Sequence, residues 1–142
     1  MEVSGGEELA KIPGAGAAGG LAWGLMKFAG ATLRPGFEIV ADAVDLEERI
    51  AAADIVITGE GSLDEQSLEG KGPIGVIRMA RKHEKTTVAI AGHVASKVKN
   101  SGLFDHCASL TDSGKPLEFL VANASTLVEE AAGGIRDALL SR

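Results

Sequence analysis

The sequence predicts an α/β fold built on a parallel sheet, and three observations predict it. First, three short apolar runs, Asp54 to Thr58, Thr86 to Ala91 and His106 to Leu110, read as buried strands. Second, helical periodicity separates and follows them, and strand–helix alternation implies parallel strands joined by crossovers. Third, two of these strands run into glycine-containing polar turns, Gly59-Glu60-Gly61 and Gly92-His93. In an open α/β sheet, ligands bind outside the carboxyl ends of the strands. Three strands are few for such a sheet and leave an edge exposed, so the chain is expected to be part of a larger sheet or of an oligomer.

In chain order, residues 1–13 are polar and read as a frayed end or the tail of a helix. Pro13 to Gly20 contains a formal G-x-G-x-x-G at Gly14, Gly16 and Gly19. That pattern binds dinucleotides only when it leaves a strand. Glu-Leu-Ala-Lys-Ile before it is no strand, so the dinucleotide reading is rejected. What remains is a loop that lets a helix pack closely, or one whose N–H groups approach an anion. Leu21, Leu25 and Phe28 then fall on one helical face, ending near Gly30. Leu33-Arg34-Pro35-Gly36 reads as a turn. Phe37 to Val44 fits a strand or a helix. Asp45 is a candidate N-cap for a helix from Leu46 to Ala52. Leu68 to Lys82 is an amphipathic helix with Pro73 near its start and a basic last turn. Val94 to Asn100 reads as a short helix. Pro116 opens a long one, weakened near its end by Gly133-Gly134.

At 142 residues the chain is one domain by size. A net charge of −6 argues against a nucleic-acid groove, which needs clustered Lys and Arg. The single cysteine, Cys107, excludes an intrachain disulfide and cannot alone build a thiolate metal site. It reads as a buried, inert thiol in preference to a nucleophile. No apolar run approaches the ~20 residues needed to span a bilayer. The N-terminus lacks the basic and apolar parts of a signal peptide, so the expected location is cytoplasmic.

The chemistry concentrates between Asp54 and Pro73, DIVITGEGSLDEQSLEGKGP. Gly59, Gly61 and Gly92 remove side chains where backbone must come close to something. Glu60 and Asp64 supply hard oxygen ligands or a general base, Lys71 a point charge for phosphate or carboxylate, and Ser62 and Gln66 neutral hydrogen bonds. These are the parts that phosphoryl transfer uses, with Mg²⁺ held by carboxylates and phosphate oxygens by N–H groups and lysine. The loop is not a Walker A motif, because Glu65 and Gly72 stand where that motif needs Gly and Ser or Thr. The competing reading is a solvated, charge-rich loop capped by Ser62 or Asp64. His93, at a strand end, is either a ligand contact or a hydrogen-bonded turn histidine. Arg34 and His83 read as solvated, His106 as structural, and Trp23 as core or interface.

Several strings resemble the C-terminal part of the bacterial glycerate kinase family. They are Pro13 to Gly20, Leu33-Arg-Pro-Gly36, Ile57-Thr-Gly-Glu-Gly61 with Asp64, Gln66, Gly70, Lys71 and Pro73, then Gly75-Val76, Ala89 to Gly92, Asn123-Ala124 and Glu129 to Ala132. The likeness covers nearly the whole chain from Pro13. It implies ATP-dependent phosphorylation of D-glycerate by a two-domain enzyme. In that enzyme a three-layer Rossmann/flavodoxin-like parallel sheet is interrupted by an inserted second domain. Residues 1–44 would be a Gly-rich loop and helix bordering the inserted domain, and residues 45–142 a βαβαβα part of the sheet domain. Family members are much longer, with an N-terminal part carrying a Ser/Lys-rich phosphate-type motif. The fold is therefore expected to be incomplete, as in a fragment, a truncated paralogue or one piece of a split protein.

On this reading Asp64, Glu60 and Lys71 are catalytic, with Asp64 and Glu60 also the Mg²⁺ ligands. Gly59, Gly61, Ser62, Gln66, Gly92 and His93 bind substrate or phosphate, and ATP is the co-substrate. The expected partners are glycerate, ATP and either the missing N-terminal part or a second copy. The alternative is a non-catalytic module that binds an anion or nucleotide or self-associates.

Overall fold

The computed structural model describes residues 6–69 and 72–141. The chain divides into two compact units, Met1–Ile39 and Val40–Arg142. In the first, α1 (Glu7–Ala10) and α2 (Ala17–Ala29) are joined by the Gly-rich turn. Ala18, Gly19 and Gly20 all have positive φ, so the regular turns of α2 start after them. Trp23 fixes this unit. Its indole N–H donates to the Gly6 carbonyl at 2.9 Å, and its ring meets Phe28 edge-on at 6.0 Å. The face that carries Leu21, Leu25 and Phe28 is largely exposed. Leu21, Leu25 and Phe28 are 59%, 47% and 75% exposed, whereas Met26 is buried.

The division falls within α3 (Gly36–Ala43), so the segment left open between strand and helix is helical. α4 (Leu46–Ala52) follows where expected, and Asp45 occupies its N-cap position. The carboxylate makes no capping bond, however. Asp45 is left-handed (φ 51°) and works as the corner between two helices, a conformation Asp tolerates better than most residues.

The second unit is a layered α/β structure, as expected. The main sheet has three parallel strands, β1 (Ile55–Thr58), β3 (Thr86–Ala91) and β5 (His106–Ser109), in the order β1-β3-β5. Ile57 pairs with Val88, and Ala89 with Cys107. On one face α5 (Gly72–Lys82) buries Ile74, Ile77 and Ala80 completely, and Ala80 packs with Val56 and Ile50. On the other, Ile135 and Leu139 of α8 (Ala124–Leu140) and Ile55, Ile57, Val88 and Ile90 of the sheet line an apolar groove of about 270 Å³. Ile57, on the edge strand β1, is 62% exposed in that groove.

Three boundaries differ from expectation. Leu68 lies in a 3-10 turn (Gln66–Glu69), and α5 starts only at Gly72. The segment expected as one helix from Val94 begins as a strand, β4 (His93–Val94), and continues as the short α6 (Ser96–Lys99). β4 pairs in parallel with β2 (Ser62–Leu63), a strand the sequence did not suggest. Leu63 and Val94 drop their side chains into one buried cluster with Ala89, Ala91 and Val98. Finally, the long C-terminal helix is broken into α7 (Leu117–Ala122) and α8. Asn123 lies at the break with non-helical backbone (φ −113°, ψ 17°), and both its backbone N–H (3.0 Å) and its side-chain amide (2.8 Å) donate to the Phe119 carbonyl.

The amino ends of β3 and β5 are tied by a polar cluster. The Asp105 carboxylate accepts the Thr87 N–H (2.8 Å) and hydroxyl (2.9 Å) and pairs with Arg81 at 3.2 Å. Arg81 also donates to the carbonyls of Leu103 and Gly102. Partial burial pushes the Asp105 pKa up, but the Thr87 donors and the Arg81 charge outweigh it and hold the carboxyl below its ordinary value of 3.8. A carboxyl lowered on folding stabilises the fold above its unfolded pKa, and that contribution is lost as pH falls through the folded value. Asp105→Asn should therefore flatten the acid limb of stability below pH 3.8, read as urea midpoints against pH. Superimposable profiles for the two proteins would contradict this account.

Candidate functional site

Two loops leave the carboxyl ends of β1 and β3 and run side by side in parallel. The Gly92 N–H donates to the Glu60 carbonyl (3.2 Å), the His93 N–H to the Gly61 carbonyl (3.0 Å), and the Ala95 N–H to the Leu63 carbonyl (2.9 Å). A third loop joins them, because the Thr111 N–H donates to the Gly92 carbonyl at 3.0 Å. This close contact explains two of the glycines. A Cβ on Gly59 would lie 2.3 Å from the Ile90 carbonyl oxygen, and one on Gly92 2.6 Å from that of Gly61. The close approach inferred from sequence is thus made first by the protein to itself. Gly61 differs, since a Cβ there would meet nothing within 4 Å, and its open face lines a pocket of about 230 Å³.

The expected site residues divide into two groups. Gly59, Glu60, Gly61 and Ser62 are brought beside Gly92 and His93 where the two loops pair. Glu60 is exposed, and its carboxylate has no partner among the described residues. Asp64 and Gln66 sit one turn further on. Asp64 Oδ1 accepts the N–H (3.0 Å) and hydroxyl (3.2 Å) of Ser67, and the Asp64 N–H donates to Ser67 Oγ (3.2 Å). This reciprocal cap is the structural role that sequence offered as the alternative for Asp64, and it orders the loop around a serine only 2% exposed. Gln66 is exposed at the start of the 3-10 turn. Lys71 lies outside the described residues.

Sequence reasoning missed Ser67, Ser109 and Thr111. His93 Nδ1 lies 3.0 Å from Thr111 Oγ1, which lies 2.9 Å from Ser109 Oγ, and Ser109 Oγ accepts the Val94 N–H at 3.1 Å. The signal was present: Thr111 to Gly114 is a polar turn leaving the third strand, on the same carboxyl edge as the two loops that were weighed. Away from this corner, the half-buried Cys107 packs against the cluster around Leu63, and burial pushes its thiol pKa up, as an inert thiol requires. Among the described residues no group of three or more His, Cys, Asp or Glu is placed to hold a metal ion. A phosphate-borne Mg²⁺ needs only one or two protein carboxylates, so the Glu60–Asp64 stretch remains compatible with it.

A parallel sheet packed between helices, with polar loops side by side at its carboxyl edge, defines an α/β protein. The glycerate kinase family model matches residues 1–140, and the chain belongs to that family. It is 41% identical over 134 residues to a glycerate kinase of Halalkalibacterium halodurans, covering 92% of this chain and 35% of the relative. It is 52% identical over 87 residues to the glycerate 2-kinase of Escherichia coli, covering 61% and 23%. A crystal structure from Salmonella typhimurium LT2, assigned as a glycerate kinase 2, matches with a TM-score of 0.68 and 38% identity over 90% of this chain and 33% of that one. The chain therefore spans about a third of the length of these longer proteins.

The close contact between the loops makes a stability prediction. Gly59→Ala and Gly92→Ala should each cost about 1–3 kcal/mol by overpacking, whereas Gly61→Ala should stay within about 0.5 kcal/mol of wild type. Urea denaturation of the three variants measures this. A Gly61 variant as unstable as the other two would show that the loops do not pack as described.

Proposed function

We propose that this chain forms one wall of the active site of an ATP-dependent glycerate kinase. The observation that carries the reading is the family match over residues 1–140, with the Gly59–Ser62 and Gly92–His93 loops joined at the carboxyl edge. In the reaction, a glycerate hydroxyl oxygen attacks the γ-phosphorus of ATP, the bond to the β–γ bridging oxygen breaks, and ADP leaves. The hydroxyl proton passes to a carboxylate. Glu60 suits that role better than Asp64, because it is exposed and unpartnered among the described residues while Asp64 Oδ1 accepts Ser67. Lys71 is assigned to phosphate or the glycerate carboxylate, and Ser62, Gln66 and Gly61 to hydrogen bonds with substrate. Mg²⁺, held by Glu60 or Asp64 and the phosphates, would neutralise charge on the transferred group.

In this reading residues 1–44 border the inserted domain, and residues 45–142 belong to the Rossmann/flavodoxin-like domain. The rest of that domain pairs along β1, an edge strand in the order β1-β3-β5. The protein would act in the cytoplasm; no helix among the described residues is long and apolar enough to cross a membrane. The same bare edge favours a second reading, a non-catalytic module that self-associates through β1. Light scattering of the chain alone separates the two, since a clean monomer removes self-association.

The kinase reading is tested in a chimera in which this chain replaces the matching third of the H. halodurans relative. With ATP, Mg²⁺ and D-glycerate it should release ADP. Glu60→Gln and Lys71→Ala should each lower kcat by about 100-fold or more. Unchanged turnover in both variants would remove these residues from the chemistry.

A further inference from the structure

The hydrogen-bond chain behind His93 has a direction. Ser109 is 8% exposed, and its hydroxyl oxygen accepts the Val94 N–H at 3.1 Å. Its proton needs an acceptor, and among the described residues the one within reach is Thr111 Oγ1 at 2.9 Å. A hydroxyl has one proton to give. Once Thr111 receives from Ser109, its own proton points to the next atom in line, His93 Nδ1 at 3.0 Å. Nδ1 is then an acceptor, and the neutral imidazole carries its proton on Nε2.

The backbone around His93 gives this assignment its consequence. The N–H groups of Gly92, His93, Val94 and Ala95 are all donated inside the protein, to Glu60, Gly61, Ser109 and Leu63. None remains for a ligand. The imidazole is exposed, lines the pocket beside the open face of Gly61, and has no partner on Nε2 among the described residues.

We infer that Ser109 and Thr111 are positioning residues that lock His93 as the Nε2–H tautomer, making it the donor that the β3–β4 loop presents to an oxyanion of phosphate or carboxylate type. His93 so held is a hydrogen-bond donor and not the base that takes the substrate's proton. The inference rests on the kinase reading only for the identity of its ligand.

Long-range ¹H–¹⁵N correlation spectra of the histidine rings test it on the full chain, at a pH of about 8.5 where free imidazole is neutral. His93 should show a single Nε2–H form. Thr111→Val should release it to a mixture of both tautomers, and Thr111→Ser, which keeps the hydroxyl, should restore the single form. Nδ1–H or a mixture in the wild type would overturn the inference, and so would a Thr111→Val spectrum identical to wild type. The wild-type spectrum decides even if the valine variant fails to fold. Inorganic phosphate and D-glycerate, added separately, distinguish the two oxyanions by which of them moves the Nε2 signal; silence to both at millimolar concentration would overturn the donor role. The tautomer readout needs no turnover, so an inactive chimera with a locked His93 would sink the kinase reading alone, and an active one with a mixed His93 would sink this inference alone.

Discussion

The candidate site depends on one steric constraint, the passage of the β1 loop against the β3 loop at the distance of bare backbone. Gly59 lies against the Ile90 carbonyl and Gly92 against the Gly61 carbonyl, with no room for a Cβ at either position. From that contact follow the Gly92-to-Glu60 and His93-to-Gly61 hydrogen bonds, then the β2–β4 pairing, and then the burial of Leu63 and Val94 in one cluster. The third loop joins through Thr111. Backbone hydrogen bonds and a dry cluster therefore fix where Glu60, Ser62 and His93 stand, so these polar groups sit on a rigid base although they belong to loops.

Much of the fold was legible in the sequence. The three main strands are β-branched or apolar runs ending at polar turns, and all three formed within a residue or so of their expected limits. β2 and β4 were not legible, because a two-residue strand has no periodicity and exists only through its partner. The break at Asn123 is a local departure of the backbone from helical angles that an apolar 3.6-residue pattern hides. Spacing placed Leu21, Leu25 and Phe28 on one face of α2 but could not say that this face stays exposed while Trp23 holds that unit through Gly6.

The site was legible in composition but not in division of labour. Glycines and carboxylates between Asp54 and Pro73 announced a polar corner, and family strings added its chemistry. Residue type alone could not separate Asp64, which caps the turn at Ser67, from Glu60, which is left exposed. Nor could it say that Gly59 and Gly92 serve the contact between loops while Gly61 faces open space. The chain matches about a third of its relatives' length, and among the described residues β1 is an edge strand of its main sheet.

The central claim is that the paired loops face the ligand. Backbone amide shifts of the isotopically labelled chain, recorded as Mg·ATP is added, test it most directly. The account predicts that the largest changes fall at Gly61, Ser62, His93 and Thr111, with the Thr87–Asp105 end of the sheet unmoved. Changes centred on that opposite end, or none at the paired loops under saturating Mg·ATP, would contradict it.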